Sequence, residues 1–342
     1  MWQLRGHDVL VGQLDRAFRD GRAPHAYLVV GPPHIGKGTL ATNIAQRVNC
    51  TSAEDAPCGS CTQCQRIASG SHADVQVIST AREEDGASRR QISISTIREL
   101  QHQTSLKPYE GSTRVYIFDG AEEMSTEAAN ALLKVLEEPP DQVLFLLLTS
   151  QEVAVLPTIR SRCHRIELHP LPIPAVAEEL TSSGAAGPDQ AEVLARLSRG
   201  CLGWALSAAR EPSVMEHRSA QVERIARLSC ATLEERFDYG GDLASRYSRD
   251  RQDAVGELEQ WLRWWRDVLL MKEGSEEHVS NLDQMDALRQ GAEQVTTQQV
   301  VKTITGIRDT IEALESNANP RLALESFMLA LPAREKKRWQ DR

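Results

Sequence analysis

Residues 26–41, AYLVVGPPHIGKGTLA, place the strongest constraint on the fold. An apolar run, a glycine-rich turn ending in lysine and a helix-like segment follow one another, which is the context of a phosphate-binding loop. In such a loop, successive backbone N–H groups and a helix N-terminus cradle phosphate, and the lysine, here Lys37, reaches the outer oxygens. Gly31 and Gly36 supply the turn. The next position should carry the hydroxyl that holds Mg²⁺, and it is Gly38. Thr39 stands one place on, about 100° round the helix, and points elsewhere. The stretch predicts a strand–loop–helix unit but not a working ATPase.

The surrounding chain repeats that pattern. Strand candidates lie at 26–30, 75–78, 115–118, 143–149 and 164–168, several of them continuous Val/Ile/Leu runs suited to parallel strands buried on both faces. Helical patterns occupy 37–49, 95–105 and 126–137, and the alternation predicts a doubly wound α/β domain. HPLPIP at 169–174 breaks the pattern; helices without strand signals follow at 175–181, 189–199 and 202–210, and Glu211-Pro212 punctuates again. From Ser213 onward apolar residues keep helical spacing, as in Val255, Leu258, Trp261, Leu262, Trp265, Val268 and Leu269 on one face. The expected organisation is an α/β P-loop domain over 1–169, a small helical domain over 170–211 and an all-α domain over 212–342. A chain of 342 residues accommodates this, and 41% hydrophobic with 25% charged residues is ordinary for a soluble protein. The N-terminus lacks a basic stretch followed by an apolar core, and the longest strongly apolar run, 143–148, is too short to span a bilayer, so a cytosolic protein with no membrane partner is expected. The net charge of −9 argues against a surface that grips nucleic acid throughout.

Hydrolysis needs more than a cradle. Asp119, ending the strand VYIF, suits a metal-binding aspartate, but the following residue is Gly120 rather than a glutamate base. Glu122 and Glu123 lie past the strand end, out of register. Losing a positioned base costs about 10²–10⁴-fold in rate.

Cys50, Cys58, Cys61 and Cys64 are spaced C-x7-C-x2-C-x2-C, the pattern of a tetrahedral Cys₄ zinc site. Four thiolates leave no open position, so the zinc is expected to be structural, and the intervening TSAEDAPCGSCTQC has little apolar content with which to fold alone. Cys163, Cys201 and Cys230 occur singly and are expected in core or helix settings.

Taken together, GPPHIGKGT, the cysteine module, SLKPYEG at 105–111, AANALLKVLEEPP at 128–140, IRSRC at 159–163 and NPRLALESFMLAL at 319–331 resemble the AAA+ subunits of bacterial clamp loaders, over nearly the whole chain. That resemblance implies an AAA+ P-loop domain, a helical lid and a helical collar. It implies motor (gamma/tau) and clamp-opening (delta) subunits, the sliding clamp and primer-template DNA as partners. Motor members carry a sensor-2 arginine in a GSxRDAL-like helix, whereas the corresponding GCLGWAL at 200–206 has Gly203 there. Gly38, Gly120 and Gly203 fall on separate motifs, so the chain looks like the non-hydrolysing delta′ kind. The tryptophan-rich WLRWWRDVLL is similar to that kind as well.

The resemblance puts Arg162, in Ser161-Arg162-Cys163, in the role of an arginine finger acting on ATP bound by the adjacent subunit. The alternative for any single arginine is a pairing with a surface carboxylate. Arg160 and Arg165 lie nearby. Arg98 and Lys134 sit on helices that in the family face DNA, with a solvated helix face as the alternative. Thr149-Ser150 falls in the sensor-1 region and is expected to close a turn. Two other functions stay open: a hydrolysing motor in which Thr39 or Glu122 takes over, and a zinc-dependent DNA-binding module.

Overall fold

The run VLFLLLT is the natural centre of a sheet, because no residue in it can face water without cost. The computed structural model, which describes residues 2–52, 55–80, 91–104, 106–229, 231–316 and 318–332, places it there. Ser105 and Cys230 lie outside the described residues. In chain order the elements are α1 (Asp8–Arg19), β1 (Ala26–Val30), α2 (Lys37–Asn49), α3 (Thr62–Ala68), β2 (Val75–Ile78), α4 (Ile94–Thr104), β3 (Arg114–Asp119), α5 (Thr126–Glu137), β4 (Val143–Thr149), α6 (Pro157–Arg160) and β5 (His164–Glu167). The strands form one parallel sheet in the order β2-β3-β4-β1-β5. Phe145 of β4 lies opposite Ala26 on one side and Tyr116 on the other.

Every residue of β4 is buried. Val143, Phe145 and Leu147 enter one core with Ile97, Phe118, Leu132 and Leu136, whereas Leu144, Leu146 and Leu148 enter another with Leu40, Ile44 and Ile166. This period of two, apolar on both faces, is what a parallel sheet sandwiched by helices requires. The α/β expectation holds, and most elements fall where the patterning placed them. Helices α1 and α3 were not anticipated. The helix α3 qualifies the expectation for the cysteine segment, since Cys64 and Ile67 are buried and α3 packs on α2. Packing therefore shares with any metal the task of ordering it.

The remaining helices are α7 (Ile173–Ser182), α8 (Pro188–Ser198), α9 (Leu202–Arg210), α10 (Pro212–Leu228), α11 (Leu233–Arg249), α12 (Arg251–Lys272), α13 (Met285–Gln294), α14 (Thr297–Glu315) and α15 (Pro320–Ala330). The chain forms two compact units, one of Met1–Val176 with Gly200–Trp204, the other of Ala177–Arg199 with Ala205–Arg342. In the second unit α12 packs against α10, α11, α13 and α14. Trp261, Trp264 and Trp265 are all buried, as are Glu257, Gln260 and Asp267. A single apolar face was therefore too narrow a description of this helix, which is surrounded. Its buried carboxylate is paired: Glu257 pairs with Arg246 and accepts from Tyr239 (2.6 Å), whose hydroxyl receives Trp261 Nε1 (3.0 Å). No helix among the described residues is long and apolar enough to cross a membrane.

In the first unit, one buried carboxylate shapes the loop between α4 and β3. Asp74 accepts the backbone N–H groups of Tyr109 (2.7 Å), Glu110 (2.8 Å) and Gly111 (2.8 Å), and Arg114 Nη2 (3.2 Å). Burial pushes its pKa up, but these donors outweigh burial and hold it below the ordinary 3.8. The stabilisation is therefore present above the unfolded pKa and lost as pH falls through the lower folded one. Asp74→Asn is expected to cost about 3 kcal/mol at neutral pH, measured by urea unfolding, and to flatten the acid limb of the stability–pH curve.

Candidate nucleotide loop, cysteine cluster and arginine site

The loop between β1 and α2 turns through two left-handed residues, His34 with a φ of 59° and Gly36 with a φ of 114°. Lys37 is turned back on the loop: its Nζ donates to the carbonyls of Gly31 (2.8 Å) and Pro32 (3.0 Å). Burial lowers the Lys37 pKa, and Glu122, Asp119 and Cys201 oppose that shift. Thr39 and Asp119 are exposed. Glu122 folds toward the end of β4, where its Oε1 accepts the N–H (3.1 Å) and hydroxyl (2.9 Å) of Ser150. Thr149 closes the neighbouring turn by accepting Gln151 N–H (3.0 Å).

Gly203, near the start of α9, donates its N–H to the His34 carbonyl (3.1 Å). A Cβ at 203 would lie 2.5 Å from that oxygen, so any side chain forces the loop or the helix to move. The glycine in GCLGWAL is thus required by a backbone-to-backbone approach, a reason invisible in the sequence. Cys201 packs, half-buried, beside the core that contains Leu40 and Leu168.

The four module cysteines converge. Their sulfurs all lie within 4.8 Å of one another, and Cys50 and Cys61 Sγ are 3.9 Å apart. Tetrahedral zinc with bonds of about 2.3 Å sets sulfurs about 3.8 Å apart, so the residues fit zinc. Cys50 caps α2, Cys61 caps α3, and Cys64 is buried within α3. Each sulfur of Cys50, Cys58 and Cys61 accepts the N–H of the next cysteine at 3.3–3.4 Å, a pattern that favours thiolates. Burial resists ionisation of Cys61, yet the N–H groups of Cys64 and Thr51 bring it down to about 5; burial pushes Cys64 up to about 12. A divalent cation would offset the cost of ionising Cys64. The module is tied to the loop helix by buried amides: Gln46 Nε2 donates to Cys64 O (2.9 Å), and Asn43 Nδ2 to Gln46 Oε1 (3.2 Å). Asn43 Oδ1 in turn receives the N–H groups of Gln3 and Leu4.

The arginine lies after α6. Cys163 tucks beside the core of α5 and β4, where burial pushes its thiol up to about 12, and Arg162 faces outward with its side chain about 35% exposed. Its Nη2 pairs with Glu137 Oε1 (2.6 Å), and Nη1 donates to Thr158 O (3.0 Å) and Ser161 Oγ (3.3 Å). Arg165 is held in a fork by Glu152 (2.8 and 2.9 Å) and also pairs with Glu167. Arg98 and Lys134 are exposed on α4 and α5. Sequence reasoning missed Glu137, whose only signal was its place in the quoted LEEPP.

A family model described as DNA polymerase III, delta subunit matches residues 6–172. The chain is 29% identical over 310 residues to the DNA polymerase III subunit delta′ of Bacillus subtilis, covering 91% of each. It is 36% identical over 214 residues to the Pseudomonas aeruginosa subunit delta′, covering 61% of this chain and 63% of that one. The Mycobacterium tuberculosis gamma/tau subunit is 36% identical over 171 residues, 50% of this chain but only 28% of that one. The chain belongs to the delta′/gamma/tau family of DNA polymerase III clamp-loader subunits. The delta′ relatives match over a greater share of their own length than the gamma/tau relative does.

For this clamp-loader subunit, metal analysis of the purified chain is expected to find about one zinc per chain. Chelation or Cys64→Ser should release it and lower the thermal midpoint by several degrees, read by circular dichroism, as loss of a structural metal removes folding free energy.

Proposed function

We propose that this chain is a cytoplasmic, non-hydrolysing delta′-type stator, which lends Arg162 to the ATP site of an adjacent motor subunit during sliding-clamp loading. Its partners would be gamma/tau and delta subunits, with the clamp and primer-template DNA in the same assembly. Zinc on Cys50, Cys58, Cys61 and Cys64 would be structural: the four thiolates would fill its coordination sphere and steady α2 and α3. Division into an AAA+ domain, lid and collar goes with this reading.

The observation that carries it is the approach of Gly203 to the His34 carbonyl. Where a motor needs a long cationic side chain over the phosphates, this chain has no space even for a methyl group. Gly38, in the first turn of α2, and Gly120, after β3, leave neither a metal-holding hydroxyl nor a base at those two positions. Arg162 in turn has the partial exposure that a group acting in trans requires. A guanidinium aimed at a neighbour's γ-phosphate stabilises transition-state charge and contributes about 10³–10⁵ in rate at that site.

A motor with Glu122 as base has one observation in its favour: Glu122 Oε2 is buried without a hydrogen-bond partner. Turnover separates the two readings. The isolated chain is expected to show no ATPase activity, and Lys37→Ala should leave the rate of a complex reconstituted with motor and clamp-opening subunits unchanged. Arg162→Ala in that complex should remove the clamp-stimulated turnover of the one site it completes. ATPase activity of the isolated chain that Lys37→Ala abolishes would establish the motor instead.

A further inference from the structure

Arg162 is not waiting in open solvent. Both terminal nitrogens are engaged by its own chain, Nη1 by the Thr158 carbonyl and Ser161 hydroxyl, Nη2 by Glu137. Glu137 is the last residue of α5, and Glu138 follows it as the cap. A helix C-terminus carries partial negative charge, so a carboxylate there raises the local negative potential. The end of α5 thus sets the helix dipole and the Glu137 carboxylate beside the Arg162 guanidinium, and the ion pair offsets their like charge.

We infer that Glu137 holds Arg162 in reserve and competes with the incoming triphosphate for the guanidinium. The inference rests on the finger reading of Arg162. A phosphate chain and the Glu137 carboxylate present the same chemistry to arginine: oxygens carrying negative charge, accepting N–H bonds from the planar fork. To give Nη2 to a phosphate at full strength, the side chain leaves Glu137. Glu137 and Arg162 side chains are about half and one-third exposed, so the pair is weak enough to exchange. Glu137 is accordingly a positioning residue. It sets how much of the finger is committed before a neighbouring nucleotide arrives, and therefore restrains turnover in the absence of clamp and DNA.

Glu137→Gln tests this, since it keeps the shape and removes the charge. In a reconstituted complex without clamp or DNA, Glu137→Gln is expected to raise ATP turnover by roughly two- to fivefold, the scale of an exposed ion pair. Raising the salt concentration should shrink that difference, because the pair is screened in the wild type. Combined with Arg162→Ala, Glu137→Gln should change nothing further, which separates a role through Arg162 from a merely structural one. In the isolated chain, nuclear magnetic resonance of the Arg162 guanidinium should show restricted rotation that Glu137→Gln releases. Unchanged or lower turnover in Glu137→Gln, with Arg162→Ala still impaired, would overturn the reserve role while leaving the finger intact. Arg162→Ala without effect would instead remove the finger, and the reserve role with it. A freely rotating Arg162 guanidinium in the wild type would also overturn it.

Discussion

The double-sided burial of β4 is the constraint on which the α/β unit depends. A strand that is apolar on alternate faces can be satisfied only between two layers of helix, and parallel neighbours supply those layers through their crossover connections. Phe145 and Leu147 point to one layer and Leu146 and Leu148 to the other. The ends of the central strands then fall side by side. That register brings the glycine loop after β1, the Asp119–Gly120 end of β3 and the Thr149–Ser150 end of β4 to one edge of the sheet. Open parallel sheets bind ligands at this edge, so the framework for a nucleotide site persists because it is also the framework of the core.

The fold was legible for the same reason. Continuous Val/Ile/Leu runs and helical periodicity are local signals of burial, and here burial and pattern agree, so 143–149 and 126–137 were found to the residue. Helix α1 escaped because its sequence, DVLVGQLDRAFR, mixes apolar and polar residues and commits only Leu14 to full burial. Helix α12 was read too narrowly because Trp264 and Glu257 lie off the expected face, yet tertiary neighbours cover them. A periodic pattern reports one buried stripe; it does not reveal that a helix is surrounded.

At the candidate sites, residue types were legible and relationships were not. The spacing of four cysteines announced convergence, and the sulfurs do converge. Gly38, Gly120 and Gly203 were visible as absences, but each glycine has a different physical setting. Gly120 adopts a left-handed φ of 87° that suits glycine, Gly38 has open space, and Gly203 is pressed on a carbonyl. Only the last is a packing requirement that excludes the missing side chain. The roles of Glu122 and Glu137 were likewise hidden, because each depends on a partner from another element, Ser150 and Arg162.

This difference between glycines bears on which of the three positions could accept a side chain. At Gly38 a hydroxyl would meet no obstacle, so that substitution alone is chemically reversible. At Gly203 the His34 carbonyl occupies the space a side chain would need; the Gly203 N–H bond to it ties the loop to α9, while Lys37 ties the loop to itself. Both contacts use main-chain carbonyls of the loop itself, the groups a glycine-rich turn leaves unpaired. The carbonyls of Gly31, Pro32 and His34 are thereby satisfied within the chain. These contacts stabilise the loop's conformation, with the Lys37 ammonium donating to two of its carbonyls.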